Sequence, residues 1–324
     1  MDGDDTIATL GCISSHISRP ATSCPILGSK NGFIFACTGG MITPGSTRKT
    51  GSRRAKRNIN GSSMMKRFVA SVVMFFAIAL AFAEDIRIAS YNMMRLGNGT
   101  KDYTTLASVV DDFDVVGAIE VMNPKGMALL AEKLPPNWSY VVADHAVGDK
   151  SYKEYYGFFY DDKVEVVQVL GYYNDEGNAF MRPPFAVQFR VKSTGFVFNL
   201  VIAHIIYGDS PKVRLAEINH LGEVYSYFEG LTGNQGITLI AGDFNEESLA
   251  AFKSLINFGM SELGTVKKST LGKTGAANDY DHMFASKNLI PMIVESDVYY
   301  WTSDWSTRKT VSDHFPVYCV LETE

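Results

Sequence analysis

The stretch Thr238-Leu239-Ile240-Ala241-Gly242-Asp243-Phe244-Asn245 decides how this chain is read. With Ile237 before it, an apolar β-type run stops abruptly at Gly-Asp-x-Asn. Aliphatic and β-branched residues suit a buried strand, and a glycine gives the backbone room at its end. Asp243 and Asn245 lie two residues apart on an extended segment, so their side chains point the same way. Together they could hold a metal ion or a phosphoryl oxygen. The same composition also suits a strand followed by an Asx-type turn.

Other strand ends decide between these readings. Asp85 to Asn92 alternates apolar and polar residues and ends at Asn92. Val115 to Ile119 is a buried run ending at Glu120, and Phe196 to Ala203 ends at His204. Asp313 and His314 stand just before a final strand, Phe315 to Leu321, and Asp281 opens the run towards Ala285. One such ending would be chance. Repeated endings in Asn, Glu, His and Asp predict a site on one rim of a sheet.

The intervening segments predict the class. Tyr103 to Val110, Pro124 to Leu134, Lys212 to Phe228 and Ser248 to Phe258 read as helices, the third from Val213, Ala216, Ile218, Leu221, Val224 and Phe228 at helical spacing. Trp138 to Ala143 reads as a strand. Two hairpins are expected. The aromatic run Ser151 to Tyr160 returns as Val164 to Leu170 across Asp161-Asp162-Lys163, and Phe185 to Val191 returns across Ser193-Thr194-Gly195. This mixture predicts a single α/β domain whose sheets are not all parallel.

The 324 residues are 46% hydrophobic and 20% charged, as in an ordinary globular protein. Charge is split unevenly. Residues 1–83 carry 10 Lys and Arg against 3 Asp and Glu, a formal +7, while residues 84–324 carry 20 against 32, a formal −12. Met65-Lys66-Arg67, the apolar run Phe68 to Ala83 and its Ala81-Phe82-Ala83 end match a secretory signal peptide cleaved before Glu84. A retained membrane anchor is the alternative, although 16 residues are short for a span. The expected organisation is a non-native or unstructured extension over 1–64, a signal peptide over 65–83 and a catalytic domain over 84–324. Such a chain is exported, secreted or periplasmic, and has no stable membrane association after cleavage. It keeps one cysteine, Cys319, since Cys12, Cys24 and Cys37 lie upstream; an internal disulfide is excluded and a buried thiol expected.

Carboxylates, an amide and two histidines suit a hard divalent cation bound through oxygen; no cysteine set suggests thiolate-bound zinc. The histidines then remain free for proton transfer near neutral pH. That chemistry fits phosphodiester hydrolysis, with a metal on the phosphoryl oxygens, one base on water and one acid on the leaving alkoxide.

Tyr91-Asn92, Ile119-Glu120, Ala203-His204, Gly242-Asp243-Phe244-Asn245 and Ser312-Asp313-His314-Phe315-Pro316-Val317 resemble the endonuclease/exonuclease/phosphatase superfamily in order and spacing over residues 85–322. Ser151-Tyr152-Lys153-Glu154-Tyr155-Tyr156, Met181-Arg182-Pro183 and Tyr280-Asp281 resemble its deoxyribonuclease I branch. The resemblance implies a four-layer α/β sandwich: two mixed, largely antiparallel sheets face to face with helices outside. It implies that His204 with Glu154, and His314 with Asp281, are acid or base on the two sides of the phosphate. Asn92, Glu120 and Asp313 are implied around a divalent cation, Mg2+ foremost, with Ca2+ or Mn2+ as alternatives. Asp243 and Asn245 complete the catalytic set, and Tyr152 and Arg182 contact the nucleic-acid backbone. The implied protein is a monomeric endonuclease acting on DNA. Its rivals are a sphingomyelinase-like or inositol-phosphate enzyme of the same superfamily and a catalytically inactive binding module.

The sequence departs from that branch where Met94 and Met122 replace two expected DNA-holding arginines, Arg95 lying one residue away. His282 is expected to face away from Asp281 as a structural residue, and His220 to be a surface or capping residue.

Overall fold

The computed structural model describes residues 84–264 and 267–324. The expected extension and signal segment lie outside the described residues. Sheet one contains β1 (Glu84–Leu96), β2 (Val115–Val121), β3 (Ser139–Val142), β4 (Val147–Gly148), β5 (Lys153–Tyr160), β14 (Ile293–Val298) and β15 (Val317–Thr323). Its order is β14-β15-β1-β2-β5-β3, with β4 also paired to β5. Sheet two contains β6 (Val164–Tyr172), β7 (Phe185–Val191), β8 (Val197–His204), β9 (Thr238–Asp243), β10 (Met260–Glu262) and β13 (Asp281–Ser286), in the order β10-β13-β9-β8-β7-β6. The short strands β11 (Leu271–Gly272) and β12 (Gly275–Ala276) pair only with each other. The pairs β1–β2 and β8–β9 are parallel and the others antiparallel.

Side-chain alternation makes the layers. Ile86, Ile88, Val115, Ile119, Tyr156 and Phe158 of sheet one bury against Val187, Phe189, Leu200, Ile202, Leu239, Ala241 and Met283 of sheet two. The residues between them face outward onto helices. Ala89, Tyr91, Val116 and Ala118 meet Leu106 and Val110 of α1 (Tyr103–Val110) and Met127 and Leu130 of α2 (Pro124–Ala131). Val201, Ala203 and Ile240 meet Ile218 of α3 (Pro211–Ile218), Leu221, Val224 and Phe228 of α4 (Leu221–Leu231) and Leu255 of α5 (Lys253–Asn257). This is the expected four-layer α/β sandwich. Cys319 is a free, fully buried thiol between the sheets, and burial pushes its pKa up to about 12.

Three expectations need correction; the helix expected over Ser248 to Phe258 is a 3-10 helix, Leu249–Phe252, followed by the short α5. The hairpin across Asp161-Asp162-Lys163 does not form, because β5 and β6 belong to different sheets. Both sides of β5 are already paired, to β2 and to β3 with β4, so the turn carries the chain from one sheet to the other. The Lys163 ammonium, 2.8 Å from Asp114, and Asp161 N, donating to Asp114 O at 3.0 Å, pin that corner. The helix expected over Lys212 to Phe228 is two helices, interrupted at Asn219-His220. His220 is the residue preceding α4, half-buried beside Glu223. The hairpin of β7 and β8 forms as expected.

Candidate active site

Strand direction explains the convergence of polar ends. β1 and β2 are parallel, so Asn92 and Glu120 leave sheet one on the same rim. The antiparallel partners β5 and β15 begin where those strands finish, which brings Glu154, Asp313 and His314 to that rim. In sheet two, β8 and β9 are parallel and end at His204 and Asp243. Antiparallel β13 begins at Asp281, directly opposite Asp243 in register. The opening motif needs its glycine for the close approach of two strands: a Cβ on Gly242 would lie 1.9 Å from Ala203 O.

Two carboxylate–imidazole pairs span the sheets. His204 Nδ1 lies 2.7 Å from Glu154 Oε1, and His314 Nδ1 lies 2.7 Å from Asp281 Oδ2. The remaining nitrogens face one atom: His204 Nε2 and His314 Nε2 each lie 3.6 Å from Asp243 Oδ2. Burial works against protonation of His204, but the charge and hydrogen bond of Glu154 outweigh it and raise its pKa. Burial is likewise overcome at His314 by Asp281 and Asp243, and its pKa is raised well above the ordinary value. Glu154, fully buried, is held below the usual carboxylate range: burial pushes it up, but His204 and Arg182 more than compensate.

The third group is acidic. Asn92 Nδ2 donates to Glu120 Oε1 at 3.2 Å and to Asp243 Oδ2 at 3.0 Å, while Asn92 Oδ1 accepts from Met94 N at 2.9 Å. Burial and the neighbouring charges of Glu120 and Asp243 push the Asp313 carboxyl up, with His314 opposing them. Glu120 and Asp313 form no ion pair with Lys or Arg among the described residues. Carboxylates pressed together without a cationic side chain fit a divalent cation bound through oxygen. Asp243, Asp281 and His314 also bring ligand atoms within 4.8 Å of one another. There, Asp281 Oδ2 already accepts from Ser269 Oγ at 2.7 Å as well as facing His314.

The expected site residues thus gather in one place, with individual differences. Asn245 turns back with φ +53°, its Nδ2 donating to Ile205 O at 2.9 Å and its N to Asp243 Oδ1 at 3.0 Å. Arg182 is buried, with Nε and Nη2 donating to the carbonyls of His204 and Ile205 at 3.0 and 3.1 Å. Tyr152 is half-buried; burial and the charges of Glu120 and Glu154 push its hydroxyl pKa up. The Arg95 guanidinium lies 5.8 Å from the Tyr152 ring centre, at the rim where the expected arginines are missing. His282 faces away, buried beside Glu262 and Phe252.

Several supporting residues were missed from sequence. Ser312 Oγ donates to Asn92 O at 2.6 Å and accepts from His314 N at 3.0 Å. Tyr156 OH accepts from His204 N at 3.1 Å. Buried Glu217 accepts from Met181 N and Ile206 N at 2.8 and 2.9 Å, fixing the segments around Arg182 and His204. Lys101 Nζ donates to the carbonyls of Met93, Met94 and Val311 at 3.0, 2.9 and 2.5 Å. The sequence signal was weak: an acid at a helical position facing the core for Glu217, and none for Lys101.

No protein-family model matches the chain. It is 30% identical over 286 residues to a deoxyribonuclease of Thioalkalivibrio sp. (strain K90mix), covering 80% of this chain and 77% of that one. It is 26% identical over 293 residues to deoxyribonuclease gamma of Rattus norvegicus, covering 79% and 90%. In structure it is similar to an endonuclease/exonuclease/phosphatase family protein of Bacteroides thetaiotaomicron, with TM-score 0.55, 20% identity and coverage of 75% of this chain and 99% of that one. The conserved architecture and the extent of the first match show that the chain belongs to the deoxyribonuclease I-like branch of the endonuclease/exonuclease/phosphatase superfamily.

Proposed function

We propose that this chain is an exported, divalent-metal-dependent endonuclease that hydrolyses phosphodiester bonds of DNA by acid–base catalysis from two histidines. The observation that carries the reading is the facing of His204 Nε2 and His314 Nε2 across Asp243 Oδ2, each imidazole backed by its own carboxylate. Hydrolysis needs one group to take a proton from water and another to give one to the departing oxygen. Two imidazoles on either side of a single position supply both. Glu154 and Asp281 fix ring orientation and favour the charged ring that each histidine becomes when protonated. A divalent ion, Mg2+ foremost, would be held by Glu120 and Asp313 with Asn92 and Asp243 beside them, and would neutralise charge on the phosphoryl oxygens. Asn245 positions Asp243, and the Tyr152 hydroxyl and the rest of the Arg182 guanidinium face the nucleic-acid backbone. The signal segment Met65 to Ala83 supports export, and the chain acts as a monomer.

Plasmid nicking with and without a chelator tests this reading. The expected results are nicking with Mg2+, Mn2+ or Ca2+, loss with chelator, and loss of at least about 10²-fold in His204→Ala and in His314→Ala. Absence of nicking with every one of these ions overturns the nuclease reading, and nicking retained by either variant overturns the mechanism. Met94 and Met122, standing in place of arginines, favour the second reading, a phosphodiesterase for smaller substrates. Turnover of small phosphodiesters without plasmid nicking would identify that case.

A further inference from the structure

Among the described residues, Tyr207 is the most exposed large apolar side chain, at 60%. Its place in the chain gives the exposure meaning. It comes three residues after His204, while Tyr280 directly precedes Asp281. β8 and β13 flank β9, so the two tyrosines meet beyond the end of β9, on the side of Arg214 and Glu246. Their rings stand edge to face, 6.4 Å apart and inclined by 67°. Tyr280 is itself fixed: its carbonyl accepts from Phe244 N at 2.8 Å, and its N donates to Ser269 Oγ at 3.0 Å.

The segment leading to Tyr207 is rigidly held. Ile205 N donates to Asp243 O at 2.9 Å, Ile205 O accepts from Asn245 Nδ2 at 2.9 Å, and Ile206 N donates to Glu217 Oε2 at 2.9 Å. Arg214 of α3 places its guanidinium 5.3 Å from the Tyr207 ring centre and donates from Nη1 to Tyr207 O at 2.7 Å. Glu246 Oε2, 3.7 Å from Arg214 Nε, holds the guanidinium in turn. With a cation over one face, an aromatic at its edge and an anchored backbone, the Tyr207 ring is still 60% exposed, three residues beyond His204 on the rim that carries the site. Core packing does not account for a ring so exposed, and a loop tip held this firmly has already lost the entropy that binding would cost.

Resting on the nuclease reading, we infer that Tyr207 is a specificity-determining residue that stacks on an unpaired nucleobase next to the scissile phosphate, so that the enzyme favours single-stranded or locally unpaired DNA over continuous duplex. Every base has a π-face, so the contact tolerates any sequence. In a duplex those faces are occupied by neighbouring base pairs and only the base edges are open in the grooves. Tyr207 therefore gains its partner only where a base has left the stack.

Steady-state cleavage separates this role from a structural one. The substrates are a single-stranded oligonucleotide, the same strand carrying one abasic site beside a single cleavable linkage, and the corresponding duplex. For Tyr207→Ala the expected result is a rise in KM of about tenfold on the intact single strand, with kcat nearly unchanged. On the duplex and the abasic strand the change stays below about twofold. Tyr207→Trp retains the wild-type KM, because it retains a stacking surface. Equal losses on all three substrates, or no loss on the intact single strand while the wild type cleaves it, overturn the stacking role and leave the nuclease reading standing. Failure of the wild type to cut any of the three overturns both.

Discussion

At the scale of single residues, the site depends on atoms with little freedom to move. A Cβ at Gly242 would collide with Ala203 O, backbone of the adjacent strand that cannot yield as a flexible side chain would. Gly242→Ala is expected to destabilise the fold by on the order of 3 kcal/mol, measured as a lowered urea midpoint with an unchanged slope. Glu154→Gln leaves the packing around His204 intact but removes the buried negative charge that favours the protonated ring. It is expected to lower kcat by about 10²-fold or more with little change in melting temperature. The residue types of the site were legible because strand after strand ended in the same small set of polar side chains. Ser269 and Ser312 were not assigned roles, because a serine hydroxyl joins a network only through long-range neighbours that spacing along the chain does not encode.

At the scale of elements, β1 contains the sharpest local departure from regularity. Its pairing with β2 shifts register between Asn92 and Leu96, and Met94 and Arg95 both have positive φ, 40° and 57°. This bulge turns carbonyls outward, and the Lys101 ammonium collects two of them together with Val311 O just before Asp313. Burial pushes the Lys101 pKa down to about 8, against the opposing pull of Asp313 and Glu120. Lys101→Met removes all three hydrogen bonds. The expected outcome is a loss of about 1–3 kcal/mol by thermal or urea unfolding and a drop in kcat larger than that of a comparably destabilised core variant, since Asn92 and Asp313 lose their common tether. The β5–β6 turn shows why sequence reading fails at this scale. Asp161-Asp162-Lys163 carries every mark of a hairpin turn, but whether two strands pair depends on which edges are already taken. The interruption at Asn219-His220 was hidden for a related reason: the apolar spacing continues across it, from Ile218 to Leu221.

At the scale of the whole molecule, charge and layering govern behaviour. Residues 84–324 carry a formal −12, so under the proposed function attraction to DNA would rely on local cations and on any divalent ion held at the site. Initial nicking rates are expected to fall steeply between 50 and 200 mM salt, on the order of tenfold or more. The sheet-to-sheet corner contributes a pH dependence of opposite kind. Burial, with Asp114 adding to it, raises the Asp161 pKa to about 6. Between its ordinary value, ~3.9, and about 6 the folded chain binds more protons than the unfolded one, so this group makes stability fall as pH rises through that window. Asp161→Asn is expected to be more stable than wild type by about 1–2 kcal/mol at pH 7, the difference closing as pH falls from 6 towards 4, as read from urea unfolding at each pH.

Each carboxylate–imidazole pair takes its carboxylate from one sheet and its imidazole from the other. The candidate site is thus a vernier between two plates: a small slide of one sheet over the other would misalign both pairs at once while leaving every strand hydrogen bond intact. Heating should therefore abolish turnover several degrees before circular dichroism reports any loss of strands. Glu120 and Asp313 come from one sheet and Asp243 from the other, so a divalent ion held among them would join the plates, and metal would raise the temperature of inactivation more than the temperature of unfolding.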